Sequence, residues 1–185
     1  GDPSAPLTLD GNNHLAGSGV QVAAGTGSTT LSNLSIRNTG GHGINVTSGT
    51  LNIGAGVVVT GAGVAATARD GLLVSGGVAN IVVPAGQAQT SFNNNTLHGI
   101  EVSGLGSINV TGVLGAPVPS NNGTVIVANN TTAGLRINQN VGAANLATSS
   151  ISGLVAWANR NHGARILGGS HVKVRGSVFG SNLVD

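Results

Sequence analysis

Asn93-Asn94-Asn95-Thr96-Leu97-His98-Gly99-Ile100-Glu101-Val102 decides how this chain is read. An asparagine pair leads, four or five residues on, to a glycine followed by an apolar–any–apolar triplet. The glycine and its triplet recur as Gly19-Val20-Gln21-Val22, Gly43-Ile44-Asn45-Val46, Gly71-Leu72-Leu73-Val74, Gly134-Leu135-Arg136-Ile137 and Gly163-Ala164-Arg165-Ile166. Successive glycines stand 24, 28, 28, 35 and 29 residues apart. A period in that range marks one structural unit stacked on copies of itself.

Side chains alternate between the two faces of a strand. The residues one and three places after each glycine therefore form two inward aliphatic ladders, running from Val20 to Ala164 and from Val22 to Ile166. The residue between them points outward: Gln21, Asn45, Leu73, Glu101, Arg136 and Arg165. About eight residues after each glycine a second strand reads Leu51-Asn-Ile53, Ala79-Asn-Ile81, Ile108-Asn-Val110 and Val172-Lys-Val174. A third, looser stretch carries Leu34-Ser-Ile36, Val57–Val59, Val125–Val127, Leu154-Val155 and Val178-Phe179. Asparagine tolerates left-handed backbone angles and suits sharp corners, and it precedes the glycines at Asn38, Asn94/Asn95, Asn129/Asn130, Asn159 and Asn182. Ala66-Thr67 takes that place in the coil that ends at Asp70. The pattern predicts an all-β, single-stranded parallel β-helix of about six coils of 24–35 residues, with three short strands per coil.

The quoted decapeptide, with its pattern Asn-Asn-x-x-x-Gly-Ile-x-Val, resembles the repeat of right-handed parallel β-helix proteins of the pectate-lyase-like superfamily. The likeness extends over nearly the whole chain from about Asp10. The right hand of the coil follows from this resemblance, not from the spacing. The superfamily includes lyases, hydrolases, tailspikes and adhesin-like surface proteins, so the resemblance implies an architecture more firmly than an activity.

Composition agrees with a solenoid. Of the 185 residues 39% are apolar and only 6% charged, against about 25% charged in ordinary globular domains. That much apolar sequence argues against disorder. The 32 glycines would weaken most helices by roughly 1 kcal/mol each. Without cysteine there are no disulfides or thiolate metal sites, and no apolar run approaches the roughly 18 residues of a membrane span. We expect a single domain over 1–185, with residues 1–9 as an N-terminal lead-in and 114–123, rich in Pro and Asn-Gly, as a protruding loop. The next glycine would fall just after Asp185, and no cap is visible there. The chain is expected to be a fragment of a longer protein, or to stack further coils or a partner on that end.

Chemistry-bearing residues are few. The position before each glycine reads Ser18, His42, Asp70, His98, Ala133, His162 and Asp185. With rungs roughly 4.8 Å apart, His42, Asp70 and His98 are candidate ligands for zinc or another divalent ion. The favoured reading is a polar corner stack with Asp70 bridging its two histidines. Glu101, Arg136 and Arg165 share the outward column, and the resembling lyases use acidic calcium ligands with an Arg or Lys base on such a face. Asp70 and Glu101 lie about 11 Å apart at the backbone and do not pose as a carboxylate pair. An exposed Glu101–Arg136 ion pair is the expected outcome. Arg165, Lys173 and Arg175 form a basic last coil that could hold an anionic glycan, without the stacking aromatics that nucleic acid asks for. Trp157 is a sugar-stacking candidate if it points outward, although a core position is slightly favoured. Phe92 and Phe179 are expected to share a core column. Thr47, Ser75 and Ser103 form too broken a column for an ice-binding face.

The function expected from the sequence is a non-catalytic, extracellular or cell-surface β-helix, the repeat region of an adhesin, surface or fibre protein. The alternative is a polysaccharide-binding or polysaccharide-degrading module. No cofactor, nucleic acid or membrane insertion is expected. The partners expected are a cell-surface or extracellular polysaccharide, and self-association or further coils at the C-terminal end.

Overall fold

A computed structural model describes residues 5–12, 17–23, 25, 27–64, 67–113, 123–140, 148–168 and 170–183. Twenty-one strands and no helix occur among them. Leu7–Asp10 comes first, and each repeat glycine then opens a coil of three strands. The first sheet stacks the strands that follow the glycines, Val20–Val22, Ile44–Val46, Leu72–Val74, Ile100–Gly104, Ala133–Gln139 and His162–Ile166. The second stacks Ser28–Leu31, Thr50–Ile53, Val78–Val82, Ser107–Thr111, Ser149–Ser152 and Val172–Arg175. The third stacks Leu7–Asp10, Leu34–Arg37, Val57–Thr60, Thr90–Asn93, Val125–Ala128, Leu154–Trp157 and Val178–Gly180. Every pairing within these sheets is parallel and joins one coil to the next, as in Ile44↔Leu72↔Ile100↔Leu135. This is the three-strand parallel β-helix of six coils that the repeat predicts.

The two inward ladders of the first sheet are fully buried from Ile44 to Leu135 and from Val46 to Ile137. Their ends open with position in the stack: Val22 is 9% exposed in the first coil and Ile166 46% in the last. Phe92 and Phe179 occupy one column of the third sheet, but only Phe92 is buried. Phe179 is 40% exposed because it lies in the last described coil.

The repeat glycines are required by close approach. A Cβ on Gly99 would stand 2.7 Å from Asn130 Nδ2, 2.8 Å from the Gly134 carbonyl oxygen and 2.9 Å from that of Phe92. Gly71, Gly134 and Gly163 meet Asn95, Asn159 and Asn182 in the same way. Those asparagines form a ladder, buried at Asn95, Asn130 and Asn159 and part buried at Asn182. Asn130 Oδ1 accepts from both the backbone N–H and the side-chain amide of Asn95, at 3.0 Å each. Asn159 Oδ1 does the same for Asn130, and Asn182 Oδ1 for Asn159. The left-handed residue is the one at the corner just before the ladder column: Asn38, Asn94, Asn129, Ala158 and Ser181, with φ between 53° and 55°, and Gly61, with φ 66°, in the second coil.

The structure departs from the sequence reading in several places. The ladder position of the second coil is Ala62, whose N–H donates to Asn95 Oδ1, and not Ala66-Thr67. An antiparallel hairpin, Gly63–Val64 with Thr67–Ala68, is inserted after it; Ala66 lies outside the described residues. Leu7–Asp10 is a strand paired with Leu34–Arg37 and not part of a lead-in. Thr90–Asn93 is a third-sheet strand that the apolar pattern does not mark: Thr90 is buried by donating its hydroxyl to the Gly54 carbonyl. The expected loop at 114–123 lies, apart from Gly123, outside the described residues, as do residues 1–4 and Asp185.

Candidate functional site

Two columns meet at the corner that leads into the first sheet. One is the residue before each glycine and the other the outward residue two places after it. Parallel register sets Asp70 one coil from His42 on one side and from His98 on the other, and places Leu73, Glu101, Arg136 and Arg165 in a line. His98 stands just before the strand Ile100–Gly104, three residues ahead of Glu101, and the bend at Gly99 turns both side chains toward the same space.

A chain of five ionisable side chains results. His42 Nδ1 faces both the backbone N–H and Oδ2 of Asp70 at 3.2 Å. It accepts from the first when bare and donates to the second when protonated. Asp70 Oδ1 accepts the His98 backbone N–H at 3.1 Å and lies 2.8 Å from His98 Nδ1. The same ring nitrogen is 3.2 Å from Glu101 Oε2, and the other Glu101 oxygen accepts from Arg136 Nη1. Asp70 is 1% exposed, His98 4% and Glu101 8%.

Burial disfavours charge on both Asp70 and His98. For Asp70 the burial cost is outweighed by hydrogen bonds with His42 and His98, and its carboxyl titrates below the usual range. For His98 burial is outweighed by the bonds to Asp70 and Glu101, and its imidazole titrates above the usual range. The His98 ring thus sits between two carboxylates, and Arg136 pairs with the second.

This geometry corrects two expectations. Glu101 does not form an exposed ion pair; it is buried. Asp70 and Glu101, distant at the backbone, share His98 Nδ1, because side chains of that length close the gap. Of the candidate metal ligands, Asp70 and His98 fall into a group with Glu101, their ligand atoms all within 4.8 Å of one another, while His42 meets Asp70 from the other side and is not part of that group. Sequence reasoning missed Glu101 as a member. The available signal was its place three residues after His98 beside the Asp70 coil.

The other candidates are not brought together. Arg165 follows Arg136 in the outward column of the first sheet. Lys173 and Arg175 are exposed, two residues apart, on the second sheet. Trp157 is on the third sheet, 36% exposed between Ala128 and Gly180. It points outward, against the favoured core reading, because Leu154 and Ala156 of its strand take the inward positions. Asp10 is exposed, bound by the Asn12 N–H, the Asn38 amide and Arg37. These bonds, the Asn12 N–H foremost, hold its carboxyl below the usual range.

No protein-family model matches this chain, and no curated protein or solved structure matches it either.

Proposed function

We propose that this chain is a non-catalytic, extracellular or cell-surface parallel β-helix, right-handed like the pectate-lyase-like proteins it resembles. It serves as the repeat region of an adhesin, surface or fibre protein. One observation carries this reading: every carboxylate among the described residues is already engaged by its own chain. Asp10 holds Arg37 and Asn38, Asp70 holds His42 and His98, and Glu101 holds His98 and Arg136. Acid chemistry on a polysaccharide needs a carboxylate that faces the substrate; these face their neighbours in the stack. The dispersal of Trp157, Arg165 and Lys173 over three sheets also favours a scaffold over a single sugar-binding platform.

The test is incubation with polyuronates and neutral polysaccharides, following reducing ends and the absorbance of unsaturated uronate. No turnover is expected. Turnover that disappears in Glu101→Gln or Arg136→Ala would contradict the reading and install the lyase or hydrolase alternative.

A further inference from the structure

We propose that Asp70, His98 and Glu101 form a binding site for one divalent transition-metal ion, with zinc the best fit. This goes beyond the scaffold reading and does not depend on it. The donor set is one imidazole nitrogen and two carboxylate oxygens, the mixture that zinc accepts. Magnesium and calcium ask for oxygen alone and for more of it. The three ligand atoms lie within 4.8 Å of one another, and the two spacings that involve the imidazole already suit coordination. His98 Nδ1 lies 2.8 Å from Asp70 Oδ1 and 3.2 Å from Glu101 Oε2. Around an ion with bonds of about 2.0 Å, neighbouring ligands sit roughly 2.8–3.3 Å apart. The ion would replace the single Nδ1 proton that the two carboxylates now share.

The site is also held from outside. Asp70 Oδ1 is fixed by the His98 N–H, its Oδ2 faces His42, and the far oxygen of Glu101 is bound by Arg136. Outer partners of this kind orient metal ligands and tune affinity. The backbones beneath are fixed by parallel pairing, with the Gly71 N–H on the His98 carbonyl and the Gly99 N–H on that of Ala133. Two carboxylates offset the charge of the ion. Arg136 and the exchanged proton oppose it, so affinity rises as pH rises and binding releases a proton.

The probe is zinc chloride added to chelator-treated whole chain, read by titration calorimetry in two buffers of different ionisation enthalpy and by the melting temperature. The expected result is one ion per chain, release of about one proton below neutral pH, and a higher melting temperature that EDTA reverses. Glu101→Gln and His98→Gln should each weaken binding by tenfold or more, and His42→Ala by roughly tenfold through a loosened Asp70. His171→Gln, on the exposed histidine of the last coil, should change nothing. Cobalt(II) added to the unaltered chain covers the case of variants that do not fold: one equivalent should give the visible absorption of a low-coordinate nitrogen and oxygen site. The absence of saturable zinc binding would overturn the proposal. So would a cobalt spectrum identical to the aqueous ion, or zinc binding that persists undiminished in folded Glu101→Gln and His98→Gln.

Discussion

Two columns climb the same corner of this helix three residues apart, and they are built on opposite rules. The amide ladder repeats one residue, Asn95, Asn130, Asn159 and Asn182, and each copy bonds the next in the same way. The ionic column cannot repeat. It runs His42, Asp70, His98, then shifts to Glu101 and Arg136, with Ala133 taking the next rung. A carboxamide is donor and acceptor at once, so identical neighbours about 4.8 Å apart satisfy each other without net charge. A carboxylate only accepts and an imidazolium only donates, so their buried column must alternate. A neutral self-complementary group therefore builds architecture of any length, whereas a charged one builds a local site with a beginning and an end.

The comparison can be broken first at the floor both columns share. Gly99→Ala drives a methyl group into two backbone carbonyls and the Asn130 amide. It should cost at least about 3 kcal/mol, read as a lowered urea midpoint, and a loss under 1 kcal/mol would refute the packing argument. Next comes Asn130. Its Oδ1 serves two Asn95 donors, and its Nδ2 serves the Phe92 carbonyl and Asn159 Oδ1. Asn130→Ala should cost about 2–3 kcal/mol. Asn130→Asp, nearly the same shape but without donors, should cost more than alanine if the alternation of donor and acceptor is what matters.

In the ionic column Asp70→Asn should cost about 2 kcal/mol near pH 6 in chelator-treated protein. The sign of its pH dependence follows from the two shifts. Asp70 is depressed, so its contribution is present above 3.8, its unperturbed value, and is lost as pH falls through its lower folded value. His98 is raised, so its contribution is complete below 6.5 and is lost as pH rises through its higher folded value. Stability should therefore peak between the two. Asp70→Asn should flatten both flanks, and an unchanged urea-midpoint profile from pH 3 to pH 9 would contradict the assignment. The smallest effect is expected on the outer face. Asn52, Asn80 and Asn109 form a second amide ladder at 3.0 Å, only part buried and joined side chain to side chain. Asn80→Ala should cost about 0.5–1 kcal/mol, and a loss equal to that of Asn130→Ala would erase the distinction between an inner and an outer ladder.

The coils were legible because aliphatic columns recur wherever a glycine precedes them. Leu51, Ala79, Ile108 and Val172 announced the second sheet for the same reason. Thr90–Asn93 escaped because a buried threonine that bonds a carbonyl resembles any polar residue in sequence. Ala62 escaped as a ladder position because a hairpin separates it from its glycine. The candidate site was half legible. Register placed His42, Asp70 and His98 in a line, but a backbone lattice carries no side-chain reach. It therefore gave 11 Å between Asp70 and Glu101 where His98 in fact joins them. Trp157 was ambiguous because it ends an all-apolar run, Leu154-Val155-Ala156-Trp157, in which no alternation marks the inward side.

Whether each glycine quartet opens one turn of a single stack is tested most directly by distance. Spin labels at Thr30 paired with Ser150 or with Lys173, all outward positions in one column of the second sheet, should be read by electron double resonance. Four and five rungs predict backbone separations of about 19 and 24 Å, two narrow distributions offset by one rung. Equal distances for the two pairs, or separations unrelated to the number of intervening glycines, would contradict the stack and everything placed on it.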